Sequence, residues 1–292
     1  MAVQPKPKWL RRRLSQAGKF QATRGTIDGL ELHTVCQEAD CPNRAECYGR
    51  GTATFLLLGP DCTRGCTFCA VGKTRPSPPD PAEPERVARA VERMGLDFCV
   101  LTMVTRDDLP DGGAGHVAAT VEHLRRLRPE MGVEVLVSDL GGDQAALATV
   151  LAAKPQVFNH NVETVPRLYP GVRPQADFQR SLAVLRAARE LDPQVVTKSG
   201  MMLGLGETSQ EIAAVMDALV EAGCQVLTLG QYLAPSPQHH PVERYVPPEE
   251  FAALARQALE RGFAAVASAP LVRSSYQAKA VYEQARENTG RG

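Results

Sequence analysis

Residues Thr52–Val71 read TATFLLLGPDCTRGCTFCAV. The first half carries the apolar run Phe55–Leu58, ended by Gly59-Pro60, which is the pattern of a buried strand followed by a turn. The second half carries Cys62, Cys66 and Cys69, spaced C-x3-C-x2-C. The cysteine loop therefore leaves the C-terminal end of a strand. In parallel α/β folds that end is where the chemistry sits. Three thiols are too few to close a zinc site and too many for one disulfide. They suit either a zinc ion completed from elsewhere in the chain or an iron–sulfur cubane with one iron left open.

Outward from this stretch the chain alternates. The β-rich runs are Ala53–Leu58, Phe98–Thr102, Val133–Val137, Gln156–Asn159, Val195–Leu203, Gln225–Gly230 and Phe263–Ala267. Between them lie amphipathic stretches over Glu85–Met94, Gly115–Leu127, Gln144–Ala153, Phe178–Leu191, Ser209–Ala222 and Pro248–Arg261. In Ser209–Ala222 the apolar Ile212, Val215, Met216, Leu219 and Val220 recur at helical spacing. Repeated strand and helix predict a parallel sheet with right-handed crossovers, and between an open sheet and a barrel the regular repeat leans to a barrel or partial barrel. Polar residues gather after the strands, at Thr102–Asp111, Asn159–Glu163, Lys198 and Glu207, and Gln231. We expect three units: an N-terminal extension over residues 1–50, a barrel over 51–262, and a C-terminal segment over 263–292. Pro76–Pro84, PSPPDPAEP, is a proline-rich connector.

The 292 residues carry 33 Lys+Arg against 33 Asp+Glu, a balance that argues against a broad nucleic-acid-binding face. Arg11–Arg13 are not followed by an apolar segment of the secretory type, and no apolar run reaches the ~18 residues of a membrane span. The expected compartment is the cytosol, where clustered cysteines bind metal or do chemistry rather than form disulfides. Six of the eight cysteines make two triplets, the other being Cys36, Cys41 and Cys47. Cys99 and Cys224 lie in apolar surroundings and read as core. His239-His240 reads as loop, and GLGE at Gly204–Glu207 lacks the lysine of a phosphate loop.

A cysteine triplet with Phe68 before its last member resembles the radical S-adenosylmethionine (SAM) superfamily. TVCQEADCPNRAEC, RDDLPDGGA, NHNVETV, TKSGMMLGLGET, LTLGQYLAPS and VRSSY extend the likeness, in order, to the lipoyl synthase family over about residues 30–280. The resemblance implies a partial (β/α)6 barrel whose mouth is closed by both extensions. It implies that Cys62, Cys66 and Cys69 bind the [4Fe–4S] cluster that holds SAM and yields a 5′-deoxyadenosyl radical. It further implies that Cys36, Cys41 and Cys47 bind an auxiliary [4Fe–4S] cluster, with Ser275 of Arg273–Tyr276 as fourth ligand. That cluster would give up sulfur for C6 and C8 of an octanoyl chain on a carrier lysine.

Thr102, Arg106, Asp107, Asn159, Asn161, Glu163 and Lys198 are then candidates for the SAM pocket. Each has a plainer reading: a turn for RDDLPDGGA, an internal hydrogen-bond network for Asn159–Glu163, a snorkelling surface cation for Lys198, a helix cap for the serines. The implied partners are octanoylated lipoyl domains of E2 subunits and the glycine cleavage H protein. A low-potential donor such as flavodoxin or ferredoxin and an iron–sulfur carrier complete the set, with no nucleic acid and no membrane. Met103, Tyr48 and Ala269 depart from the family's usual residues without touching a cluster ligand. Two competing readings remain at this point: a biotin-synthase-like sulfur inserter, and a zinc-stabilised binding module.

Overall fold

The computed structural model describes residues 5–10 and 17–290, so the arginines at 11–13 lie outside the described residues. The N-terminal part builds α1 (Ala17–Gly29), β1 (His33–Thr34), α2 (Val35–Glu38) and α3 (Arg44–Gly49). Next come β2 (Thr54–Leu57), α4 (Glu83–Met94), β3 (Phe98–Met103), α5 (Ala114–Leu127), β4 (Gly132–Leu136), α6 (Gln144–Ala152) and β5 (Val157–Asn159). They are followed by α7 (Tyr169–Val172), α8 (Phe178–Leu191), β6 (Val196–Leu203), α9 (Ser209–Glu221) and β7 (Val226–Gln231). Last are α10 (Pro248–Glu260), β8 (Ala265–Ser268) and α11 (Ala278–Asn288).

The strands form one eight-stranded sheet in chain order. β1 is antiparallel to β2, and every later pair is parallel. β8 is not hydrogen-bonded back to β1, so the sheet is a partial barrel, extended by one parallel strand beyond six.

Local chemistry fixes where each unit starts and stops. α4 opens with Glu83, Pro84 and Glu85 and stops at Gly95, whose φ of 64° suits a residue without Cβ. Asp143 and Asp177 cap α6 and α8 by accepting backbone N–H bonds. Thr208 and Glu211 form a reciprocal capping box on α9, which turns Ile212, Val215, Met216 and Leu219 inward. Strands β2 and β7 are buried along their whole length, as a sheet covered on both faces requires. Each fully buried Leu, Val or Phe there contributes roughly 1.5–3 kcal/mol.

The open barrel is stoppered by α11. Its Val281 and Ala285 pack on Val157, Val196, Val226 and Ala265, the first residues or nearly so of β5 to β8. Tyr282 lies 5.8 Å from the Phe98 ring, and Lys279 pairs with Asp97, so the helix reaches from the late strands to the start of β3. At the other end of the barrel, the segment before α11 lies directly on β6 and β7. A Cβ on Gly230 would stand 2.1 Å from the Val272 carbonyl oxygen, and one on Gly200 would stand 2.8 Å from Ser274 Oγ. Only glycine permits that approach. Cys99 and Cys224 are in the core, as expected. No helix among the described residues is long and apolar enough to cross a membrane.

Candidate active site

A cavity of about 910 Å3 runs from the C-terminal ends of the strands through the barrel to Asp97 and Phe98 at the start of β3 and Lys279 of α11. Both cysteine triplets line it, together with Thr102, Asn161, Glu163, Ser274 and Ser275. All six cysteines are unbridged. Burial pushes the thiols of Cys36 and Cys69 up to about 12 and that of Cys47 to about 11, and it raises Cys66 as well. Thiols in such surroundings ionise when a cation sits beside them.

The loop of Cys62, Cys66 and Cys69 is tied to its neighbours at many points. The Cys62 N–H donates to the Gly72 carbonyl, and Thr63 donates to Thr105 through both backbone and side chain. The Gly65 N–H donates to Gln175 Oε1, and Thr67 Oγ1 donates to Gly171 O. His240 N–H donates to Thr67 O, and His239 Nε2 lies 3.2 Å from Cys69 O. The paired histidines are thus loop residues, and they brace the cysteine loop from the β7 side.

The loop of Cys36, Cys41 and Cys47 belongs to α2 and α3. Tyr48 is fully buried behind it, donating to Gln37 Oε1 and sharing a hydrogen bond with Thr34 Oγ1, each at 2.8 Å. The C-terminal segment crosses over this loop. Asn43 Nδ2 donates to Leu271 O at 2.6 Å, and the Tyr276 hydroxyl donates to Glu46 Oε1 at 3.0 Å. Ser274 is engaged with Asn161, donating to its Oδ1 (2.9 Å) and lying 2.7 Å from its Nδ2. Ser275 has no hydrogen-bond partner among the described residues and faces the cavity. Neither serine caps α11, whose N-cap is Gln277.

Glu163 stands at a left-handed φ of 64° between β5 and β6, accepts from Asn161 Nδ2, and has its carboxyl raised by burial. A non-glycine residue held there is characteristic of functional sites. Thr102 donates to Leu136 O and lines the cavity. Arg106, Asp107, Asn159 and Lys198 do not line it. Lys198 is not a snorkelling surface cation. It is buried against Glu134, with both carboxylate oxygens at 2.9 Å, and Asn159 Nδ2 donates to the same carboxylate. Arg106 pairs with Asp108, and Asp107 pairs with Arg64.

The radical SAM superfamily pattern matches residues 56–219. The lipoyl synthase of Trichlorobacter lovleyi is 56% identical over 279 residues, covering 95% of this chain and 99% of that protein. That of Rubrobacter xylanophilus is 54% identical over 281 residues, covering 96% and 88%. The chain belongs to the lipoyl synthase family. It is a radical SAM enzyme that inserts sulfur, the activity expected from its motifs. The solved structure of methylornithine synthase covers 88% of this chain and 72% of its own, with a TM-score of 0.56 at 13% identity. The hydrogenase maturase HydG gives a TM-score of 0.56 at 14% identity, covering 73% and 51%. Those two likenesses show the fold alone.

Membership of the lipoyl synthase family implies a [4Fe–4S] cluster and SAM, and the residues present fit them. Each triplet offers three thiols to one cavity. Among the described residues no three Cys, His, Asp or Glu side chains converge as ligands of a single ion.

The motif reading missed Arg64, Glu134, Asp139, His160 and Arg173. Arg64 hides between two cysteines, and Glu134 sits in an otherwise apolar strand, which was the one signal available for it. Arg173 is buried and lines the cavity; its Nη1 donates to Asn161 O and Val162 O, and among the described residues it pairs with no carboxylate and its Nε has no partner.

Proposed function

We propose that Cys62, Cys66 and Cys69 hold the cluster that binds SAM. Cys36, Cys41 and Cys47 hold a second [4Fe–4S] cluster, with Ser275 as its fourth ligand. The observation that carries this reading is the convergence of both triplets and the serine on one cavity, although the serine lies far along the chain. With Ser274 committed to Asn161 and Ser275 without a partner, Ser275 is the hydroxyl available to iron. An oxygen is a poorer match for cluster iron than a thiolate, so the iron it holds is the one most easily released when sulfur is surrendered.

When bound, the cluster and SAM together supply the means to take hydrogen from an unactivated carbon. The protein's task is to hold SAM, to hold the chain to be sulfurated, and to exclude water. Asn161, Glu163 and Thr102 line SAM's side of the cavity. The guanidinium of Arg173, whose Nη1 donates to Asn161 O and Val162 O while its Nε has no partner, is the anchor for SAM's carboxylate. Arg106, Asp107, Asn159 and Lys198 serve SAM through the loops and strands they fix.

The substrate is an octanoyl chain on a lysine of a carrier domain, sulfurated at C6 and C8, with the auxiliary cluster as sulfur source. Arg273 lines the cavity and is suited to dock an acidic carrier surface, a contact that weakens with salt. Lipoyl domains of E2 subunits and the glycine cleavage H protein are the carriers. Flavodoxin or ferredoxin serves as electron donor, an iron–sulfur carrier rebuilds the auxiliary cluster, and the cytosol is the compartment. Functionally the chain divides into 1–50, 51–262 and 263–292, one cluster loop in each of the first two and the serine in the third.

The test is to assay 5′-deoxyadenosine beside lipoyl product in anaerobically purified variants. Cys62→Ala should make neither. Cys41→Ala should still cleave SAM but make no lipoyl product. Normal lipoyl product from Cys41→Ala, with sulfur drawn from its own clusters, would refute the assignment.

A further inference from the structure

The cysteine loop that carries Cys62, Cys66 and Cys69 contains one large charged side chain, Arg64, and it points away from water. Only 7% of it is exposed. Its guanidinium uses both edges. Nε and Nη2 donate to the two oxygens of Asp107, each at 2.8 Å. Nη1 and Nη2 donate to the two oxygens of Asp139 at 3.0 and 2.7 Å. Asp107 follows β3 and Asp139 follows β4, and Asp139 is reached on its other side by Arg180 of α8 at 3.4 Å. The backbone N–H of Arg64 lies 3.5 Å from Cys62 Sγ. One residue therefore couples a cluster thiol to two successive βα loops.

The start of the loop is held in the same manner. Leu58, the last residue before Gly59, has a φ of 70°. A leucine in that region is strained and persists only where its surroundings over-determine it. Here they do. Its N–H donates to Glu83 Oε2 at 2.9 Å, and Glu83 is fixed in turn by His116 at 2.6 Å. Its carbonyl accepts from Arg106 Nη1, whose remaining donors are clamped on Asp108.

A buried ion pair is weak evidence for stability, because desolvation offsets much of the attraction. Its distinctive contribution is geometry, since a guanidinium fork fixes direction as well as distance. We propose that Arg64, locked between Asp107 and Asp139, is a positioning residue for the SAM cluster. It sets where the open iron faces in the cavity, and RDDLPDGGA acts as the outer clamp of the cysteine loop rather than as a wall of the SAM pocket. This rests on the assignment of Cys62, Cys66 and Cys69 as cluster ligands.

The test uses full-length, iron-replete enzyme with the substitutions Arg64→Lys and Asp107→Asn. Three quantities are read: iron per chain, the change that SAM produces in the electron paramagnetic resonance signal of the reduced enzyme, and KM for SAM against kcat for 5′-deoxyadenosine formation. Lysine keeps the charge but cannot span two carboxylates. Arg64→Lys should therefore keep its iron, lose or broaden the SAM-induced spectral change, and raise KM for SAM about tenfold or more. Asp107→Asn, which leaves the Asp139 edge intact, should do the same to a smaller degree. Should Arg64→Lys fail to accumulate as folded protein, Asp107→Asn decides. Iron-replete variants with an unaltered SAM-induced spectrum and a KM within about twofold of the parent would overturn the proposal. A parent enzyme whose iron gives no response to SAM would instead overturn the ligand assignment beneath it.

Discussion

The two cysteine triplets share a cavity, yet the chain holds them in opposite ways. The loop of Cys62, Cys66 and Cys69 is moored to the loops after β3, β4, β5 and β7, with Arg64 locked between two carboxylates. The loop of Cys36, Cys41 and Cys47 lies on short helices outside the parallel strands and is strapped by the C-terminal segment through Asn43 and Tyr276. The first arrangement suits a cluster that must stay in place through every turnover. In the reading proposed above, the second suits one that is dismantled and remade, because its loop lies outside the parallel strands.

The largest effect that would sharpen this contrast is at Ser275. Ser275→Ala should cut lipoyl product by orders of magnitude while SAM cleavage continues, because the barrel side is untouched. Ser274→Ala removes the hydrogen bonds to Asn161, so its effect should fall on the barrel side, as weaker SAM binding. If the two substitutions exchange these phenotypes, the assignment of the serines is reversed.

A second effect concerns the barrel alone. Lys198 and Glu134 are buried with 2% and 0% of their side chains exposed. Lys198→Met leaves that carboxylate without its cation and should destabilise the protein by about 3–5 kcal/mol in urea unfolding. The double substitution Lys198→Met, Glu134→Leu should recover most of that loss. A single variant as stable as the parent would mean that the pair is not buried in solution.

The barrel also carries an acid-sensitive group. Burial, reinforced by the nearby guanidinium of Arg173, pushes His160 down to about 4. Its Nδ1 donates to Val137 O at 2.9 Å, a contact that works in the opposite direction, but burial prevails and the folded protein keeps the ring neutral near pH 7. A depressed folded value means that stability is fully present above the ordinary histidine range and is lost as pH falls towards 4. Between about pH 7.5 and pH 5.5 this linkage costs about 1.4 kcal/mol. Asp139 contributes in the same direction at lower pH. Burial alone would raise its carboxyl, but the hydrogen bonds from Arg64 hold it down to about 2. His160→Gln should flatten the pH dependence of the urea midpoint between those two values. An equal slope in parent and variant would remove His160 as the cause.

The same contrast explains what could be read from the chain beforehand. Regular strands and helices were legible because their apolar spacing is local, and every strand in the parallel series lies within two residues of its expected run. The cysteines were legible because thiols are rare and their spacing is short. Arg64, Glu134 and Asp139 were not, because their meaning is a pairing across βα units. Arg64 finds Asp139 from 75 residues away, and Lys198 finds Glu134 from 64 away. RDDLPDGGA showed its importance by position, but whether it faced SAM or the back of the cysteine loop depends on the direction of side chains at a strand end. Spacing alone does not set that direction.

The smallest effect tests the strap itself. Tyr276→Phe removes the hydroxyl that donates to Glu46 and keeps the ring. Glu46 retains Arg50 at 2.9 Å, so its carboxylate is not left alone. The net loss is then that of one partly exposed hydrogen bond, about 0.5–1.5 kcal/mol. Because the Tyr276 hydroxyl donates to the N-terminal loop, that loss should appear as easier local opening rather than as a lower unfolding midpoint. Opening that is easier by about 1 kcal/mol occurs about fivefold more often. Iron release to a chelator should follow two phases, and the phase from the Cys36, Cys41 and Cys47 cluster should quicken by that factor in Tyr276→Phe. The phase from the barrel cluster should not change, since none of the contacts that moor its loop involves Tyr276. Two phases that quicken equally would show that the strap supports the whole molecule, and the division between a permanent and a renewable cluster site would then have to be abandoned.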